Sequence, residues 1–129
     1  MKNRFRFQNL NVWQEARVLN RTIYRLTRSF PRREIFGMTS QIRRASVSIS
    51  TNIAEGSGRN SDKDFAHFLE QGYGSLMETA SLFFLAFDEE YVSEAQVNPL
   101  FDDMEKLAKG IAALNRSLAV KNSKTPFSR

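Results

Sequence analysis

The sequence predicts an all-α protein folded as an up-down-up-down antiparallel four-helix bundle, and three observations predict it. Four stretches repeat apolar residues in alternating steps of three and four, the period of one helix face. Proline, glycine or capping signals separate them at short breaks, as an antiparallel bundle with crossing angles of about 20° requires. No stretch carries a strand signal, and 129 residues with 41% hydrophobic and 26% charged side chains suit one globular domain over 1–129.

Residues 1–9 are basic and aromatic without a clear period, which predicts an extended arm with Phe5 and Phe7 as candidates for docking on the bundle. Asn11 is placed as the N-cap of the first helix, with Gln14 as its capping-box partner, and the helix is expected to run to about Ser29. Val12, Ala16, Leu19, Ile23, Leu26 and Phe30 form its apolar seam. Arg17, Arg21, Arg25 and Arg28 fall within a face about 80° wide and nearly opposite that seam, at roughly 100° per residue. Pro31 stops the helix, Arg32 and Arg33 carry positive charge into the turn, and Phe36-Gly37 leads to the next element.

The second helix takes its seam from Met38, Ile42, Ala45, Ile49 and Ile53. Its serines and threonines lower intrinsic helix propensity, so it must persist through tertiary packing, and their small size suits an inner helix. Gly56 and Gly58 are expected to end it in the left-handed C-cap conformation. Asn52 and Glu55, polar within this helix, are expected to do structural work. They would bond across helices or pair with Arg43, Arg44 or Arg59.

Ser61-Asp62-Lys63-Asp64 is a capping box that starts a third helix reaching Asp88 or Glu90. Phe65, Leu69, Gly72, Leu76, Phe83 and Phe87 make its seam, with Ala80 near the same line, and Gly72 and Gly74 imply close packing or a bend. Phe68, Leu82, Phe84 and Leu85 lie outside the narrow seam. That is more apolar surface than one stripe of a monomeric bundle needs, and it marks them as candidates for an oligomer interface. The fourth helix has two possible starts: Ser93 with Gln96 as a capping box, or Asn98 as N-cap with Pro99 in the first turn, which is favoured. Leu100, Met104, Leu107, Ile111, Leu114 and Leu118 form its seam, and residues 121–129 read as a frayed basic tail.

Charge divides the chain. Residues 1–60 hold 12 Lys/Arg and 3 Asp/Glu, a net +9, whereas residues 61–129 hold 7 and 11, a net −4, for +5 in all. The absence of any cysteine removes thiol nucleophiles, disulfides and thiolate metal sites. Neither an apolar run of membrane-spanning length nor an N-terminal export signal is present, so a cytoplasmic protein without membrane contact is expected. His67 is the only histidine and reads as a surface or interfacial side chain. Asp88, Glu89 and Glu90 read as a solvated helix end, because consecutive helical residues point apart. Gly56-Ser57-Gly58 lacks both the phosphate-loop lysine and the nucleophile-elbow pattern. No catalytic residue, metal or cofactor is therefore expected, and the chain reads as a non-enzyme.

Val12-Trp13, Phe36-Gly37, the run from Thr39 to Ala45, Asn52-Ile53-Ala54-Glu55-Gly56 and Gly58-Arg59 together resemble a known family in order and spacing. It is the bacterial four-helix-bundle proteins encoded in intervening sequences of 23S ribosomal RNA genes. That family is similar in turn to the accessory protein of diversity-generating retroelements, a basic pentameric barrel that works with a reverse transcriptase and contacts nucleic acid. The resemblance implies a ring-shaped homo-oligomer, a pentamer, and moves the reading of the arginines toward nucleic acid.

The function expected is binding of structured RNA or DNA by phosphate and shape recognition. The residues expected to carry it are Arg17, Arg21, Arg25, Arg28, Arg32 and Arg33, joined by Arg43 and Arg44. Aromatic stacking platforms are not evident, since most phenylalanines fall on seams. The alternative is an interaction scaffold, an accessory subunit whose arginines bind a protein partner such as a reverse transcriptase. A solvated charged face and packing against an acidic neighbouring subunit are the structural alternatives for the same stripe.

Overall fold

The computed structural model describes residues 1–124. Four helices, α1 (Asn11–Thr27), α2 (Met38–Ser57), α3 (Asp62–Asp88) and α4 (Glu94–Lys124), form the bundle, and short 3-10 turns occupy Arg6–Asn9 and Arg32–Glu34. No strand occurs among the described residues. Each helix packs on two neighbours, α1 on α2 and α4, and α3 on α2 and α4. The expected seams close one core, with Ile23, Ile42, Ile49, Ile53, Leu69, Leu76, Phe83 and Ile111 buried in it.

The start of α1 departs from expectation. Residues 6–9 are not extended; Gln8 Oε1 accepts from the backbone N–H of Phe5 at 2.8 Å and of Arg4 at 2.7 Å, which winds them into a turn. Asn11 becomes the first helical residue rather than its cap, and Gln14 Nε2 donates to the Gln8 carbonyl at 2.9 Å. Phe5 stacks on Phe7, whose ring lies 4.7 Å from that of Trp13.

α2 is the polar-laced inner helix. Ser46 Oγ donates to Asn20 Oδ1 of α1 at 2.8 Å, while Ser48 and Ser75 of α3 share a hydrogen bond of 2.9 Å, so its hydroxyls stitch it to both neighbours. Gly72 of α3 is buried against it: a Cβ there would stand 3.4 Å from the Ile49 carbonyl. Gly74 has open space instead, so no packing demand explains it.

Neither Gly56 nor Gly58 is left-handed. No glycine among the described residues has positive φ, Gly58 sits at φ −91°, and Gly56 lies inside the helix. What Gly56 supplies is room: a Cβ would come within 2.8 Å of Phe65 Cδ1 and of Phe68 Cβ.

In α3 the Ser61 hydroxyl accepts from the Asp64 N–H as expected. Its buried stripe runs through Phe65, Leu69, Gly72, Leu76, Thr79, Phe83 and Ala86. The four-three alternation thus continues without drift; Thr79 takes a core position, its hydroxyl donating to the Ser75 carbonyl at 2.7 Å, and Ala80 packs half-buried beside it. Phe87, expected in the seam, is left 40% exposed. The α3–α4 turn closes with Tyr91 N–H on the Ala86 carbonyl and Glu90 N–H on the Phe87 carbonyl, and Glu90 sits at φ 64°.

α4 begins at Glu94, not Pro99. Ser93 and Gln96 cap it reciprocally, at 2.9 Å and 3.2 Å, and the earlier start buries Val97. Pro99 therefore lies within the helix. The helix also extends through Lys124, into the stretch expected to be a tail, and residues 125–129 lie outside the described residues.

Candidate nucleic-acid interface

Because the α1 seam faces the core, Arg17, Arg21, Arg25 and Arg28 are all exposed on the outer side of that helix. Arg32 and Arg33 follow, exposed, in the turn that Pro31 opens. Arg17 lies over the Trp13 ring at 5.5 Å and Arg33 over the Tyr91 ring at 6.0 Å. Among the described residues the ion pairs are Arg59 with Glu55 and Lys106 with Glu15, so none of these six arginines has a carboxylate within 4.0 Å. Their charge faces water, where a planar, five-donor guanidinium is available to phosphate oxygens.

Arg43 and Arg44, adjacent in sequence, part company. Arg44 is exposed. Arg43 is half-buried; its Nε donates to Thr27 Oγ1 at 2.9 Å, its Nη2 to the Tyr24 carbonyl at 3.4 Å, and its guanidinium lies 4.7 Å from the Tyr24 ring centre. It holds α2 to the C-terminal turn of α1, where helix carbonyls favour a cation. Arg43 is thereby withdrawn from the exposed row.

Asn52 and Glu55 do structural work of a modest kind. Asn52 Nδ2 donates to the carbonyl and the hydroxyl of Ser48, at 2.8 and 3.0 Å, and so supports the Ser48–Ser75 bridge to α3. Glu55 pairs with Arg59 at 4.0 Å across one exposed helical turn, and Arg59 lies over the Phe68 ring at 4.5 Å. Such an exposed pair contributes little.

Two connectors were not foreseen. Arg6 Nη1 donates to the Ser57 carbonyl at 3.0 Å and lies over the Phe65 ring, closing the C-terminus of α2. At the other end, Glu34 Oε1 accepts from the Met38 N–H at 3.1 Å and Oε2 accepts from the Tyr91 hydroxyl at 2.8 Å. The Met38 bond first, and then the Tyr91 bond, hold the Glu34 carboxyl below its usual pKa, with Arg33 adding to the effect. The bond to Glu34 in turn raises the Tyr91 phenol. Both residues belong to loop chemistry that periodicity does not register. The available signal was an acidic side chain four residues before a helix that lacks a Ser, Thr, Asp or Asn cap.

The apolar surplus on α3 divides as well. Phe84 is 58% exposed and stacks on Phe101 of α4 with ring centres 4.5 Å apart, and Leu85 is 48% exposed. Tyr73 and Met77, also exposed, join Phe84 along a groove of about 460 Å³ between α3 and α4, which Leu85 does not line. Leu82 corrects the expectation: at 7% exposure it belongs to the core of its own bundle. Phe68 is half-buried beneath Arg59.

His67 is exposed and pairs with Gln71 at 3.1 Å. Among the described residues no cluster of three or more His, Asp or Glu side chains could hold a metal ion, and no helix is long and apolar enough to cross a membrane. A family model described as 23S rRNA-intervening sequence protein matches residues 8–113, a span that takes in α1 to α3 and most of α4. No curated protein matches the chain.

Proposed function

We propose, on the premise that this chain belongs to the 23S rRNA-intervening sequence protein family, that it is a non-enzymatic homo-oligomer that binds structured RNA, or DNA of similar shape, through its arginine face. The family's description names an rRNA, which points to RNA. The observation that carries the reading is the exposed row Arg17, Arg21, Arg25, Arg28, Arg32 and Arg33, none of which forms an ion pair within 4.0 Å among the described residues, although Arg33 also acts on the neighbouring Glu34 carboxyl. Such a row costs self-repulsion in the free protein and is offset when it meets a polyanion. Arg44 extends the row, while Arg43 braces the helix junction behind it. Nothing on this face resembles a base-reading recognition helix, so phosphate and shape supply the affinity.

Assembly into a ring, a pentamer by family resemblance, belongs to the same proposal. The exposed band of Tyr73, Met77 and Phe84, with exposed Leu85 nearby on the same helix, supports it, since apolar surface of that kind on a protomer suits a cover. Copies joined in a ring would present the arginine faces together and strengthen weak contacts through multivalency.

Fluorescence anisotropy with an RNA duplex and a DNA duplex across a salt series tests the reading. Wild type should bind saturably, with log affinity falling against log salt at a slope of roughly −3 to −4 if about four phosphates are neutralised. The Arg21→Glu, Arg25→Glu, Arg28→Glu variant should lose on the order of 100-fold in affinity while folding normally. Absence of binding at low salt by folded, assembled wild type would overturn the proposal and favour the scaffold reading, in which the arginines meet an acidic protein partner such as a polymerase.

A further inference from the structure

Phe36 is the outlier among the aromatic side chains. At 95% exposure its ring stands in water, off every packing seam, in the connection that leads through Gly37 into α2. It stands at the lip of a groove of about 570 Å³ between the N-terminal half of α2 and the middle of α3, which Gln41, Arg44, Ser48, Ser75 and Glu78 also line. The hydroxyls of Ser48 and Ser75 bond one another, so the floor is already satisfied. Arg44 on one wall and Glu78 on the other are exposed charges of opposite sign, and no ion pair joins them among the described residues. Arg44 makes one long bond of 3.4 Å, to Ser40, which leaves most of its donors for other partners.

We infer that this groove receives a single unpaired nucleobase, guanine in preference to the others, from the RNA that the arginine face holds. The inference rests on the RNA-binding reading above. A bare phosphate would meet the Glu78 carboxylate, and an apolar side chain would desolvate both charged walls. A nucleobase has a π face for Phe36 and an edge of in-plane donors and acceptors for the walls. Guanine alone offers two adjacent N–H donors, N1 and N2, to one carboxylate, and its O6 and N7 accept from a guanidinium. Arg44 also lines a second groove, of about 400 Å³, that reaches Tyr24 of α1. Arg44 thus stands between the base site and a groove that touches the helix carrying the arginine row.

The test compares a short RNA duplex with the same duplex carrying one bulged guanosine or one bulged uridine, by anisotropy at fixed salt. Wild type should bind the guanosine bulge about 10-fold more tightly than the unbroken duplex, and the uridine bulge less so. Phe36→Ala, a change to a side chain in water, should abolish that preference and leave affinity for the unbroken duplex unchanged; Phe36→Trp should restore it. Glu78→Gln should reduce the choice of guanosine over uridine. Equal affinity for all three duplexes, or a preference that survives Phe36→Ala, overturns the base site alone, since binding of the unbroken duplex would persist. Failure of wild type to bind any of the three overturns both readings. A change in the sedimentation of the assembly by Phe36→Ala would make the groove a subunit contact and overturn the base site.

Discussion

The α1–α2 half and the α3–α4 half use their outer surfaces in opposite ways. The first half carries +9 over residues 1–60 and shows a row of arginines to water; the second is acidic and shows the rings of Tyr73, Phe84 and Phe87. Both halves contribute to one core with the same four-three spacing, so the fold alone does not demand the difference. The lesson is that the surplus on each half is directed outside the bundle. In the function proposed above, the arginines of α1 meet a polyanion, and exposed Phe84 and Leu85 of α3 meet a neighbouring copy.

Separating those two demands gives the largest expected effect. Phe84→Asp with Leu85→Asp should shift sedimentation from an assembly to the single chain, and the triple arginine reversal should leave the wild-type mass intact. If the arginine variant dissociates and the aspartate variant does not, the stripe is a subunit contact and the comparison inverts.

Next in size is a close contact between the halves. Gly56→Ala puts a methyl group 2.8 Å from Phe65 and Phe68 of α3, and overpacking of this kind costs about 1–3 kcal/mol. Urea unfolding should show it as a lower midpoint with an unchanged slope. A neutral or stabilising result would mean that α3 yields there, and that the α2–α3 contact is softer than the α2 hydroxyl bridges imply.

The seams of all four helices were legible in the sequence, because a core-facing stripe needs only correct spacing of apolar residues. What was not legible depended on which neighbours, near or distant in sequence, each side chain meets. Thr79 reads as polar, yet its hydroxyl is satisfied one turn back, so it is buried in the core with Ala80 packed half-buried against it; Phe87 reads as core and is turned outward. Gly56 carries the composition of a cap and serves as a space for Phe65. Arg43 and Arg44 are indistinguishable as letters, and the C-terminus of α1 decides between them. Phe36 lies on none of the four seams, and its isolation in water emerges only from the structure, where every seam closes without it.

A smaller and opposite effect is expected in the turn that joins α3 to α4. Glu90 holds φ 64°, a left-handed conformation that costs a side-chain-bearing residue roughly 1 kcal/mol relative to glycine. Glu90→Gly should therefore stabilise the chain by about 0.5–1 kcal/mol, read as a higher urea midpoint. The gain sits in the acidic half alone and should leave nucleic-acid affinity untouched. Loss of stability would mean that the Glu90 side chain contributes more than its backbone strain costs.

The smallest effect tests the bond that ties the halves together at one end. Glu34, in the basic half, accepts from the Met38 N–H that begins α2 and from the Tyr91 hydroxyl beyond α3. Its folded pKa is lowered by those bonds, so its contribution is fully present above the ordinary carboxylate pKa and is lost as pH falls through the lowered folded value. Glu34→Gln removes the charge but keeps a similar shape. The melting temperature of the variant should lie below wild type at neutral pH, and the gap should close as the solution is acidified below the usual carboxylate range. Other carboxylates titrate in both proteins and cancel in the difference. A gap independent of pH would assign the link to shape rather than charge, whereas a closing gap would show that an ionised carboxylate holds the connection bearing Phe36 against the acidic half.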